Sequence, residues 1–112
     1  MPKNLPQAIH YYQLSAKQNY LPSVMQLGRI FANESSVLDE KKSLEWYTYA
    51  ANRGEIQAQN YLFHYYDDAY APDKAFYWLE KMLAAVFPEE SDFSRVSADY
   101  ERLKKELQIG KK

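Results

Sequence analysis

Apolar residues recur along this chain at intervals of three and four, the spacing that lines up one face of an α-helix. Ser43, Leu44, Tyr47, Ala50 and Ala51 form one such series, and Ala58, Leu62 and Tyr66 form the next. The pattern predicts helices over about 6–18, 22–33, 40–53, 56–68, 73–86 and 92–108. Residues suited to helix ends stand at the breaks. Asn4 and Asp39 sit where a side chain can cap a helix N-terminus. Asn19 and Gly54 sit where a left-handed residue would close one. Pro22 and Pro72 fall in first turns, where a missing N–H is tolerated.

The pattern also repeats. A shift of 35 residues brings Ile9 onto Leu44, Tyr11 onto Trp46, Tyr12 onto Tyr47, Ala16 onto Ala51 and Asn19 onto Gly54. It continues with Leu21 on Ile56, Ser23 on Ala58, Leu27 on Leu62 and Phe31 on Tyr66. A further copy opens at Lys74-Ala75, with Trp78 matching Trp46 at an offset of 32, as a loop shortened by three residues requires. Repeats of this length made of two helices stack on their neighbours, because one pair alone cannot bury its apolar face. The expected fold class is all-α: antiparallel helix hairpins stacked as a short right-handed α-solenoid of about six helices.

The run Val37-Leu38-Asp39-Glu40-Lys41-Lys42-Ser43-Leu44-Glu45-Trp46-Tyr47-Thr48-Tyr49-Ala50-Ala51-Asn52-Arg53-Gly54 closely resembles a Sel-one-like repeat, a relative of the tetratricopeptide repeat. Ala58, Leu62 and Tyr66 match the family's following helix, as do Ser23, Leu27, Gly28 and Phe31 one repeat earlier. The resemblance divides a single domain, 1–112, into four parts. These are the second helix of a partial repeat (7–21), a full repeat (22–54), a divergent full repeat (55–87) and a capping helix (91–108). Two departures matter. Leu27-Gly28 becomes Leu62-Phe63, which either forces helices apart or marks a variant terminal repeat, and Met82-Leu83 replaces the Ala-Ala pair. Beyond the repeats, Phe93, Val96, Tyr100, Leu103 and Leu107 form an amphipathic stripe, read as a cap over the last repeat with an oligomerisation zipper as the alternative. At the other end the first helix lacks its usual partner. Leu5, Ile9, Tyr12 and Leu14 are then partly uncovered, either because the chain is a piece of a longer protein or because that edge is an interface.

Composition narrows the chemistry. Fourteen basic and fifteen acidic residues give a net charge of −1 with no basic stripe, so nucleic acid is not an expected partner. The longest apolar run, from Met82 to Phe87, is too short to cross a bilayer, and no membrane partner is expected. The opening residues lack the apolar core of a secretory signal, which favours the cytoplasm. No cysteine is present, which removes thiol chemistry and cysteine-ligated metals. Of the two histidines, His64 stands near Asp67 and Asp68, but a metal needs another ligand, and a solvated helix end is the simpler account. Glu89-Glu90 and Asp67-Asp68 are adjacent carboxylates without a cleft to tune them, and no nucleophile elbow or phosphate loop is present. No cofactor, metal or catalytic residue is expected.

Tyrosine, by contrast, is abundant at eleven residues, and it suits half-buried positions and interfaces. In the family the first helix of each pair tends to line the concave face. With Ser23, Leu27, Phe31, Ala58, Leu62 and Tyr66 assigned to packing, the outward positions are Gln26, Arg29, Ile30 and Asn33 on one helix. On the next they are Tyr61, His64, Tyr65 and Asp68. The resemblance implies a module that binds another protein or peptide there: an adaptor, a regulator or a partner-specific inhibitor. The alternative use of these surfaces is self-association, through residues 5–14 or 93–107.

Overall fold

The computed structural model describes residues 4–110, so the ends of the 1–112 domain lie outside the described residues. Among the described residues six α-helices follow one another: α1 (Leu5–Ala16), α2 (Leu21–Asn33), α3 (Glu40–Asn52), α4 (Ile56–Asp68), α5 (Pro72–Val86) and α6 (Ala98–Gly110). Short 3-10 turns at Ser35–Val37 and Phe93–Arg95 interrupt two connections, and no strand occurs among the described residues. The all-α class expected from the periodicity is the one observed. The chain forms two compact units, residues 1–58 and 59–112.

The helix ends follow from local chemistry. Asn4 Oδ1 accepts the Gln7 N–H and Asp39 Oδ1 accepts the Lys42 N–H, both at 3.1 Å. Each satisfies a donor that has no partner inside its own helix. At the other ends, Asn19 (φ +62°) and Gly54 (φ +93°) take the left-handed conformation. The N–H groups of Tyr20 and Glu55 then reach back to the carbonyls of Ser15 and Ala50, at 3.3 and 3.1 Å. Each is the longer bond of a left-handed helix cap, and the same bond recurs one period later. The turn after α4 uses the same geometry with Tyr70 (φ +58°), and the Ala71 N–H donates to the Tyr66 carbonyl at 2.9 Å. Nothing in the residue type announces that third cap. The connection at 69–71 is three residues shorter than the one at 34–39, which accounts for the drop in repeat offset from 35 to 32.

In the first unit α2 packs against both α1 and α3. Val24, Leu27, Ala50 and Ala58 are fully buried, with Met25, Phe31 and Tyr47 nearly so. Gly28 permits a close approach, because a methyl group there would lie 2.8 Å from the Tyr47 ring. The Gly28 carbonyl accepts a hydrogen bond from the buried Ser43 hydroxyl at 2.9 Å, tying α2 to α3. In the second unit Leu62, Phe63, Ala75, Leu79 and Leu103 are buried. Phe63 occupies the register position of Gly28, and Leu79 that of Tyr47. By register the aromatic residue has moved from one helix of the pair to the other: Phe63 replaces the glycine, and the smaller Leu79 replaces the tyrosine.

The last predicted helix differs from the observed one. Residues 92–108 are not continuous: the 3-10 turn Phe93–Arg95 comes first and α6 begins at Ala98. Two local caps compete with a single helix. Asp92 Oδ1 accepts the Ser94 N–H at 3.0 Å, and Ser97 Oγ accepts the Tyr100 N–H at 3.1 Å. The bonds to Ser94 hold the Asp92 carboxyl below its ordinary value. The apolar stripe is consequently used inside the unit. Tyr100 lies between Phe76 (4.8 Å between ring centres) and Phe93 (5.4 Å), and Leu103 is completely buried. Burial, followed by the neighbouring Glu80 carboxylate, raises the Tyr100 phenol above its usual value.

Candidate functional site

The outward stripe of α2 is visible in the first unit. Ser23, Leu27 and Phe31 are buried, whereas Arg29 and Asn33 are exposed and Gln26 and Ile30 are half-buried. These four lie on one side because successive helical residues turn by about 100°. The Asn33 amide donates to the Arg29 carbonyl at 3.0 Å, closing the end of the stripe. Arg29 forms no ion pair among the described residues. A half-buried isoleucine between an unpaired guanidinium and an amide offers apolar contact and hydrogen-bond donors together.

The stripe of α4 is the corresponding feature of the next repeat. Ala58 and Leu62 are buried, Tyr61 and Tyr65 half-buried, His64 and Asp68 exposed. Tyr65 meets Tyr66 edge-on with ring centres 5.2 Å apart, and the Lys74 ammonium lies over the Tyr66 ring at 5.4 Å. His64 packs its ring against Phe63 at 4.8 Å. The neighbouring carboxylate, Asp67, is engaged elsewhere: Arg102 on α6 binds it at 3.0 Å and also contacts Asp99 and Glu106. Among the described residues, no cluster of three His, Cys, Asp or Glu side chains could hold a metal ion. No helix among them is long and apolar enough to cross a membrane.

Sequence reasoning passed over a second surface. Between α1 and α3 lie two open hollows of about 400 and 310 Å³ that share Gln13, Trp46 and Tyr49. From the sequence, Trp46 is expected to fill space beside the small residues Ala50, Ala51 and Ala58, and Trp78 is its counterpart in the next copy. Trp78 is buried, but Trp46 is only half-covered and forms a wall of both hollows. The signal available in the sequence was the uncovered first helix. Leu5, Ile9 and Tyr12 are half-buried and Leu14 is exposed, so the apolar side of α1 is incompletely covered.

A family model for the Sel1 repeat matches residues 1–20, 24–55 and 56–85. The chain belongs to the Sel1 repeat family. Sel1 repeats build α-solenoids and generally serve as protein-interaction modules, and the family is a non-enzymatic scaffold. The matched segments include α1, α3 and α4 and most of α2 and α5, while α6 and the 3-10 turn before it lie beyond them. Neither a curated protein nor a solved structure matches this Sel1 repeat chain.

Proposed function

We infer that the chain is a partner-binding module, acting as an adaptor, regulator or inhibitor of another protein and not as an enzyme. The observation that carries this reading is the composition of the α2 and α4 stripes. Their buried sides hold each helix rigidly, while Arg29, His64, Tyr61 and Tyr65 stay partly or fully accessible. Arginine and tyrosine are enriched among residues that dominate binding energy, because each combines a large contact area with a polar end at low conformational cost. Gln26, Ile30, Asn33 and Asp68 complete the two stripes and supply rim contacts.

Arg29→Ala and Tyr61→Ala test the reading. Each is expected to weaken capture of the partner from the native cell by tenfold or more, with helicity by circular dichroism unchanged. Undiminished capture by both variants would remove these stripes from the binding surface. Self-association through residues 93–107 is the weaker reading, since Phe93, Tyr100 and Leu103 are already engaged within their own unit.

A further inference from the structure

We propose that the trough between α1 and α3 is a second docking site, one that takes an acidic peptide segment carrying a bulky apolar anchor. It is separate from the α2 and α4 stripes and stands whether or not they bind a partner.

The trough is apolar at its base and sides. Leu14 and Ala16 come from α1, Trp46 and Tyr49 from α3, and Phe31 contributes from α2. Trp46 and Tyr49 meet edge-on, with ring centres 6.2 Å apart. Tyr49 is fixed on two further sides. Its hydroxyl hydrogen-bonds the Asn19 amide oxygen, and the Arg53 guanidinium stacks on its ring at 3.5 Å. A wall held this way loses little freedom when a ligand arrives. From Lys42 to Tyr49 the trough runs for about 10 Å along α3, the length of roughly three extended residues.

Charge determines which peptide fits. Lys17 and Lys42 line the trough, and Arg53 lies at its Tyr49 side. None of the three forms an ion pair among the described residues. Lys42 and Arg53 instead sit over aromatic rings, Lys42 at 5.4 Å from the centre of Phe31. Glu45 is the sole carboxylate among the residues lining either hollow, and no acidic residue precedes Glu34 in the chain. The other unit shows the contrast. There Arg102 contacts three carboxylates and Lys105 a fourth. Unpaired cations around an apolar trough that holds one carboxylate, Glu45, leave a net positive potential, and an acidic partner supplies the remaining counter-charge. The cations are too few and too widely spaced to track a phosphate backbone, and the apolar walls call for an anchor side chain.

The test uses a fluorescein-labelled hexapeptide in which two acidic residues flank each side of a Leu-Phe pair. Binding is followed by fluorescence anisotropy and by amide shift mapping of the full chain. The acidic peptide should bind at least tenfold more tightly than its lysine-for-acid and serine-for-Leu-Phe analogues, and weaken as salt rises. Shifts should concentrate in α1 and α3. The Lys17→Glu, Lys42→Glu double variant should lose at least tenfold in affinity, while Lys104→Glu and Arg29→Ala should leave it unchanged. Circular dichroism confirms that each variant is folded. No binding, equal binding of all three peptides, or shifts confined to α2 and α4 would overturn the proposal. So would displacement of the acidic peptide by single-stranded nucleic acid at lower concentration than by unlabelled peptide.

Discussion

Gly28 shows how one residue sets the spacing of a repeat. An alanine gains about 1 kcal/mol of helix propensity, but its methyl would meet the nearly buried Tyr47 ring at 2.8 Å. Overpacking of that kind costs about 1–3 kcal/mol, so Gly28→Ala should lower stability by about 1 kcal/mol in urea unfolding. Adding Tyr47→Leu, which reproduces the kind of residue at Leu79, should recover part of the loss. A double-mutant cycle showing no coupling between the two positions would contradict the contact. Two of the three left-handed residues make an opposed pair. Gly54 has open space around it and φ +93°, so Gly54→Ala should cost about 1 kcal/mol for backbone reasons alone. Tyr70 holds a similar conformation and is 92% exposed, so Tyr70→Gly should leave stability unchanged or raise it by about 0.5 kcal/mol. Denaturation midpoints moving in the same direction would show that φ does not govern both sites.

At the scale of elements, the repeat was legible because helical periodicity and capping chemistry coincide. Asn4, Asp39, Asn19 and Gly54 each stand at a period boundary and act there through a hydrogen bond or a positive φ. The break at Ser97 was not legible, since Phe93, Val96 and Tyr100 keep helical spacing through it. Periodicity records which residues face the core; it does not register a local cap that restarts the helix a turn later. Ser97→Ala should therefore cost about 1 kcal/mol, the usual loss for an N-cap hydroxyl. Hydrogen exchange should report that loss as faster exchange at the start of α6. Unaltered exchange there would mean that the Ser97 hydroxyl contributes nothing to the break. The trough was illegible for another reason. Trp46 and Trp78 are equivalent in sequence, and only the neighbours of each helix make one a core residue and the other a wall.

For the whole molecule, the sequence carried the all-α class and the family, because a repeat states its packing rule more than once. Function was legible only as a class of activity. Arg29 and Tyr61 are recognisable as binding residue types, yet the identity of a partner lies in complementarity, and one side of an interface does not encode the other. The unpaired cations of the first unit and the carboxylate-bound Arg102 of the second give the two surfaces different chemistry within a chain of nearly balanced charge. The most direct measurement is amide hydrogen exchange of the chain in complex with the partner it captures from its native cell. Protection centred on residues 26–33 of α2 and 61–68 of α4 is the predicted result. A stoichiometric complex that leaves both segments exchanging as in the free chain would contradict the account.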